Sequence, residues 1–306
     1  MCGIVGLLIK KPALRAALGE WMLPMMVKMG DRGPDSAGLA VFTEPVGEAH
    51  LKFSLYAGTA AGHGAAEGQP AWHTLARDLI AALDPSASLH PNGNHAIVTT
   101  TATAQAFRSW LRRAWPSVHL LSGGRAIDVY KDTGHPREVV ARYGLQALAG
   151  THLVGHTRMA TESAVTPAHA HPFTAGTDFC LVHNGSLSNP YSIRRKLEPL
   201  GIEFETDNDT EAACRFLEWR MREGDDLEAA LARGFDELDG FYTFLMGTHD
   251  KLALVRDAFA CKPAIVAETD DYVAISSEFR SLAHLPGVQH ATLFEPKPET
   301  LYVWKV

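Results

Sequence analysis

Only four cysteines, Cys2, Cys180, Cys214 and Cys261, occur in the 306 residues, and no two of them form a C-x-x-C pair. That scarcity and spacing exclude a disulfide framework or a zinc finger and suit reduced thiols in a cytoplasmic setting. Long apolar runs are missing too: the stretch Ile4 to Ile9 is interrupted by Gly6 and followed by Lys10 and Lys11, too short for a signal-peptide core or a membrane span. Positive charge is in deficit, with 28 Lys plus Arg against 35 Asp plus Glu and a net charge of -7, so no general field attracts nucleic acid or an anionic membrane. There is no G-x-G-x-x-G or P-loop pattern, no internal repeat and no low-complexity segment. What remains is an ordinary globular composition, enough for one large domain or two modest ones.

Cys2 to Ile9 reads as a strand. Leu18, Met22, Met25, Met26 and Met29 sit at helical spacing, so a helix is expected over Leu14 to Met29. Asp31 to Gly38 (DRGPDSAG) is dense in turn formers, and Leu39 to Phe42 reads as a strand leaving it. Residues 57 to 71 are small and loop-like. Beyond them a helix Trp72 to Leu83, a strand Ala96 to Thr101, a helix Thr103 to Trp115 and strands Val118 to Ser122 and Ala126 to Lys131 suggest a small α/β module, ending in a helical stretch Pro136 to Ala149. Strands then dominate (His152 to His156, Phe179 to Val182, Phe241 to Thr248, Leu252 to Asp257, Ala264 to Glu268, Tyr272 to Ser276, Leu301 to Trp304), with helices at Thr210 to Glu223 and Leu227 to Leu238. That order predicts an α+β, layered architecture.

Cys2 carries the most chemistry. Once Met1 is removed, as a small second residue favours, one residue offers a thiol and a free α-amine. With a reference pKa of about 7.7 to 8.0 the amine can take the thiol proton near neutral pH, which supplies nucleophile and base together. Alone, Cys2 is better read as an incidental residue buried in the first strand. Asn184 and Gly185 can offer a side-chain amide and a backbone N–H to an oxyanion, each worth about 2.7 to 4 kcal/mol, although Asn-Gly is also a common turn pair. Arg158, closing a strand, suits a carboxylate. Asp209 opens a helix, where a carboxylate often serves as the N-cap. The 15 histidines include His169 and His171 two apart, with His183 further on. No carboxylate or cysteine completes a ligand set at recognisable spacing, so no metal is expected.

Five segments in order resemble one family: Cys2 to Leu7 (CGIVGL), Arg32 to Gly38 (RGPDSAG), Gly155 to Thr161 (GHTRMAT), His183 to Asn189 (HNGSLSN) and Asn208 to Glu211 (NDTE). They are similar to the class II glutamine amidotransferases, the N-terminal-nucleophile (Ntn) glutaminase domains of glutamate synthase, asparagine synthetase, glucosamine-6-phosphate synthase and amidophosphoribosyltransferase. The resemblance implies a four-layer αββα Ntn hydrolase fold. It implies Cys2 as the nucleophile toward the glutamine side-chain amide, Asn184 and Gly185 as the oxyanion hole, Arg158 and Asp209 as binders of the α-carboxylate and α-ammonium, and Thr161 as a hydroxyl contact. Arg32 is expected beside the nucleophile, as a catalytic cation or as a brace. Met159 replaces the aromatic residue of many members and Glu162 the histidine of the aminosugar synthases, so the grip on glutamine differs in detail.

Leu254 to Ser281 resembles the end of the glutaminase domain, with a D-x-x-x-x-K-P turn and a Ser-Glu pair. The expected organisation is therefore a glutaminase domain over 2–56 and 150–285, an inserted small α/β module over 57–149 and a C-terminal extension over 286–306. Such a chain has no room for a fused acceptor domain, so ammonia is expected to pass to separate synthase subunits. The resemblance is to the glutaminase subunits of glutamate synthase-like enzymes such as N-methylglutamate synthase. It implies no cofactor in this chain, with any flavin or iron–sulfur centre in the partners. The rival readings are a stand-alone amidohydrolase on a γ-glutamyl compound, and a non-catalytic assembly or regulatory subunit. A further reading treats 57–149 as a binding module.

Overall fold

The computed structural model describes residues 2–58, 71–160 and 165–306. In chain order the elements are β1 (Gly3–Ile9), α1 (Leu18–Met29), β2 (Ser36–Phe42), β3 (Leu51–Ala57), α2 (Trp72–Ala82), β4 (Ser88–Asn92), β5 (His95–Thr100), α3 (Ala104–Ala114), β6 (Val118–Gly124), β7 (Ile127–Thr133) and α4 (Pro136–Arg142). They continue with β8 (His152–Arg158), β9 (Phe173–Ala175), β10 (Phe179–Leu187), α5 (Pro190–Leu197), α6 (Asp209–Arg222), α7 (Leu227–Glu237), β11 (Gly240–Gly247), β12 (Lys251–Arg256), β13 (Ile265–Glu268), β14 (Tyr272–Ser276), β15 (Thr292–Phe294) and β16 (Tyr302–Lys305). The expected helix over Leu14 to Met29 starts instead as a tighter 3-10 segment, Pro12–Ala17, before the α-helix.

Two antiparallel sheets form the centre. The larger has seven strands in the order β15-β13-β14-β1-β8-β2-β7, and the other five in the order β16-β12-β11-β10-β9. Side-chain alternation stacks them. In β1, Val5, Leu7 and Ile9 face the α1 methionines and α4, whereas Ile4 and Leu8 meet Val182, Leu245 and Leu254 of the second sheet. In β10, Phe179 and Leu181 face α5, α6 and α7, while Cys180 and Val182 face back to the first sheet. The result is the αββα layering. It explains why β1 carries no polar residue: both of its faces are covered and all seven residues are buried. Each buried Ile, Val or Leu side chain among them contributes about 1.5 to 3 kcal/mol.

A third sheet, β4-β5-β3-β6, packs on α2 and α3 around Phe53, Leu75, Leu79, Trp110 and Leu111, and every pairing in it is antiparallel. Its limits differ from those expected. β3 belongs to this sheet, so a boundary at 56/57 cuts through the strand. β7 leaves it and pairs with β2 from Ser36↔Thr133 to Phe42↔Ile127, because Ile127 and Val129 find cover between the two large sheets. Val139, Val140 and Tyr143 of the following segment join the outer layer beside α1. Residues 286–306 are likewise integrated: β15 and β16 are edge strands of the seven- and five-stranded sheets.

Asp178, in the turn between β9 and β10, docks the β6–β7 turn. Its carboxylate accepts the backbone N–H groups of Arg125, Ala126 and Ile127. Those bonds satisfy donors that the turn between two sheets leaves without strand partners.

Candidate active site

Cys2 immediately precedes β1, the middle strand of the seven-stranded sheet. Register places its neighbourhood: Gly3 lies opposite Thr157 on β8, and Ser36 on β2 lies opposite Arg158. The heads of β1 and β2 thus meet the tail of β8. The head of β1 is held by Ser277, whose Oγ accepts the Ile4 N–H at 3.0 Å and whose N–H returns to the Ile4 carbonyl at 3.1 Å. The Cys2 Sγ lies 3.9 Å from the carbonyl oxygen of Met159, just past Arg158.

The RGPDSAG segment folds against this point. A Cβ on Gly33 would stand 2.4 Å from the Thr157 carbonyl carbon, so only glycine lets the turn lie on the end of β8. Arg32 Nε donates to the Cys2 carbonyl at 3.0 Å, and Nη1 reaches Glu278 at 2.9 Å. Burial pulls the Glu278 carboxyl upward, but Arg32 and Arg280 outweigh it and hold it below its ordinary value. Asp35 accepts the Ala160 N–H at 2.8 Å, and its own N–H donates to the Arg158 carbonyl at 3.0 Å. Arg158 itself is buried at the end of β8.

The second sheet brings the donors. The strand expected to stop at Val182 runs on to Leu187, with Asn184 opposite Thr243 and Gly185 opposite Tyr242. Asn184 and Gly185 therefore lie within β10, and the tight-turn reading of the pair fails, because β11 offers a partner along the whole segment. Gly185 has φ of +143°, and a Cβ there would meet the Phe241 carbonyl oxygen at 2.0 Å. Asn184 Nδ2 donates to the Cys2 carbonyl at 3.3 Å. Its amide carries a second N–H.

At the start of α6 the N-cap is Asn208, whose side chain accepts the Thr210 N–H at 2.9 Å. Asp209 is thus the first helical residue and not the cap. Its Oδ2 accepts the Leu187 N–H at 2.9 Å, and Oδ1 lies 3.7 Å from His183 Nδ1. Burial alone would raise its pKa; His183 and the Leu187 and Thr210 N–H groups outweigh that and bring it down to about 2. The carboxylate is ionised, partly exposed and tied to the end of the Asn-Gly strand. Thr161 and Glu162 lie outside the described residues.

The histidines do not form the metal site that His169 and His171 suggest. His169 reaches Asp207 at 2.9 Å, whereas His171 is buried against Thr210 at 2.8 Å. Among the described residues no group of three or more His, Cys, Asp or Glu side chains is placed to hold a metal ion. Instead His156, His171 and His183 form a buried cluster behind Asn184 and Asp209, with the rings of His156 and His171 stacked at 4.0 Å. Burial drives the His156 imidazole down to about 3, and the nearby Arg158 charge acts in the same direction. This cluster, Thr210 and the bracing by Ser277 and Glu278 were not assigned roles from sequence. One signal was available: His156 shares the strand face of Arg158 at a spacing of two.

A cysteine at the head of a central strand in an αββα double sheet, approached by donors from the second sheet, defines the Ntn-hydrolase class. A family model described as a glutamine amidotransferase domain matches residues 156–284. The chain is 45% identical over 305 residues to the glutamine amidotransferase-like protein GlxB of Rhizobium meliloti (strain 1021), covering 99% of this chain and 98% of that protein. It is 37% identical over 131 residues, 42% of this chain and 22% of the relative, to the isomerizing glutamine–fructose-6-phosphate aminotransferase of Methanothermobacter thermautotrophicus. In fold it is similar to the glutamine phosphoribosylpyrophosphate amidotransferase of B. subtilis, with a TM-score of 0.60 at 17% identity over 99% of this chain and 47% of that one. The chain belongs to the class II glutamine amidotransferase family. No helix among the described residues is long and apolar enough to cross a membrane.

Proposed function

We propose that Cys2, freed of Met1, is the nucleophile of a glutaminase and that the ammonia passes to separate synthase subunits of glutamate synthase-like type, as in N-methylglutamate synthase. The observation that carries the catalytic part is the convergence of Asn184, from one sheet, on Cys2 at the head of the other.

The Cys2 α-amine takes the thiol proton, and Sγ attacks the side-chain carbonyl carbon of glutamine. Charge collects on the carbonyl oxygen, which the second Asn184 N–H and the Gly185 N–H receive. The C–N bond breaks, the α-ammonium returns the proton, and ammonia leaves a γ-glutamyl thioester. Water, deprotonated by the same amine, then adds to the thioester; glutamate departs and the thiol is restored. Arg158 holds the substrate carboxylate and Asp209 its ammonium, with Thr161 as a hydroxyl contact to the substrate. Arg32 acts as a brace, since its guanidinium is turned to a backbone carbonyl and a carboxylate.

The partner reading is supported by full-length similarity to a protein of matching extent, and by exposed apolar side chains flanking the site. Met159, Phe241 and Phe279 are 38%, 40% and 42% exposed, and each adjoins a residue of the site or its strand. Any flavin or iron–sulfur centre belongs to the partners, and this chain supplies only glutamine chemistry.

The test is intact mass after incubation with 6-diazo-5-oxo-norleucine, with and without co-expressed neighbouring subunits. A single adduct lost in Cys2→Ala is expected; an unlabelled protein lacking Met1, even with partners, overturns the mechanism. Formation of N-methylglutamate from methylamine and glutamine by the purified complex tests the acceptor.

A further inference from the structure

We propose that Thr210 is a positioning residue for glutamine binding: its hydroxyl gathers the buried His171 and His183 imidazoles and donates to Asp209, fixing that carboxylate toward the substrate ammonium. This rests on the reading of Asp209 as the ammonium ligand.

Three groups surround the Thr210 Oγ1: His171 Nε2 at 2.8 Å, His183 Nδ1 at 3.1 Å and Asp209 Oδ1 at 3.4 Å. A hydroxyl has one proton and two lone pairs, and an ionised carboxylate only accepts. One arrangement serves all three contacts: both imidazoles donate to Oγ1, and Oγ1 donates to Asp209. It places the His171 proton on Nε2 and the His183 proton on Nδ1, leaving His171 Nδ1 and His183 Nε2 bare. Those are two ring nitrogens that lack any partner among the described residues. Orphaned buried donors are rarer than under-used acceptors, and a buried N–H without a partner would cost about 1 to 3 kcal/mol.

The same logic fixes the next ring. His156 Nε2 lies 2.9 Å from the His183 carbonyl, which can only accept, so Nε2 carries the proton and the unpartnered Nδ1 does not. Burial, with the Lys131 and Arg158 charges among the further causes, holds His171 well below its ordinary pKa, so this ring stays neutral, with a single proton, through the physiological range. Thr210 is 1% exposed and sits on the first turn of α6, so its hydroxyl cannot turn to water. With Leu187 N–H on Oδ2 and Thr210 on Oδ1, both oxygens are pinned from the protein side. Their remaining lone pairs are what the proposal gives to the substrate ammonium.

The test uses the full chain with its partners. Thr210→Val, close in shape to threonine, is expected to raise KM for glutamine about tenfold with kcat changed less than threefold, equivalent to one lost hydrogen bond to a charged group. Thr210→Ser should restore wild-type KM, and His171→Gln should fall between. Alkylation of Cys2 by iodoacetamide, which has no α-ammonium, should proceed at the wild-type rate in all three. Equal KM in Thr210→Val and wild type, with Asp209→Asn still defective, overturns the proposal. A loss in kcat alone, or failure of serine to rescue, also overturns it. If Thr210→Val does not fold, the Thr210→Ser and His171→Gln comparison carries the same test. Absence of any Cys2 adduct in the wild type is a different result, the failure of the glutaminase reading itself.

Discussion

The Arg32 guanidinium joins the carbonyl of Cys2 to the carboxylate of Glu278, with Nε 3.0 Å from one and Nη1 2.9 Å from the other. The head of the central strand is thereby tied to the segment that follows β14, at the far end of the chain. Glu278→Ala leaves a largely buried cation short of its counter-charge. We expect a loss of about 2 kcal/mol in urea unfolding, below the range for a fully buried pair because Glu278 is partly exposed. Slower labelling of Cys2 by 6-diazo-5-oxo-norleucine should accompany it. Unchanged stability and labelling would show that the brace is dispensable.

Gly185→Ala should be among the most damaging small substitutions. The added Cβ meets the Phe241 carbonyl oxygen at 2.0 Å, and φ of +143° disfavours any side chain. A cost of about 2 to 4 kcal/mol is expected from strain and from the displaced β10–β11 pairing. Differential scanning calorimetry and glutaminase assay check it; wild-type Tm with wild-type activity contradicts the geometry.

Asp209 links pH to stability with a definite sign. Its folded pKa, about 2, lies below the ordinary aspartate value of about 3.9, so the folded protein favours the ionised form. That stabilisation, about 2 kcal/mol, is present above pH 4 and is lost as pH falls through 2. The gap in unfolding free energy between wild type and Asp209→Asn should therefore be largest near neutrality and shrink between pH 4 and pH 2. A gap independent of pH would contradict the assignment.

Asp132 ties the small sheet to the large one. Its carboxylate accepts from the Tyr143 hydroxyl at 2.5 Å, Arg142 at 2.6 Å and the Tyr56 hydroxyl at 3.4 Å. Burial, with the nearby carboxylate, pushes Tyr56 up to about 12. Asp132→Ala strands these donors and should cost about 3 kcal/mol, while iodoacetamide still alkylates Cys2. Loss of Cys2 reactivity in a protein that remains folded would show that this junction also shapes the site.

Much of the layered core was legible because burial on both faces leaves a long apolar signature, as in β1 and β14. β3 escaped because its buried partners are polar: Lys52 pairs with Asp128, and Ser54 accepts the Val129 N–H. Alternation there looks like a solvated face when it is an interface between sheets. At the site, residue types pointed to Cys2, Asn184 and Asp209, but local propensity misplaced two details. Asn-Gly reads as a turn until β11 supplies its partner, and Asp209 reads as a cap until Asn208 is seen to fill that place. The imidazoles behind Asp209 come from β8, β10 and the segment before β9, and no sequence window contains all three.

The small sheet also has a geometry of departure and return. Val46 and Arg125 touch: the Val46 N–H donates to the Arg125 carbonyl at 2.9 Å, and the Arg125 side chain returns to the Val46 carbonyl at 2.8 Å. Among the described residues, the chain between them forms the small sheet and its helices, which lean back on β7 through Lys52, Ser54 and Tyr56. The clasp therefore fixes where the chain enters β7, and β2, β7 and the cysteine two strands away keep their register as long as the β3–β7 contacts hold. A cut placed at 57 and 149 instead removes β7 and opens the outer edge of β2 to unwanted pairing.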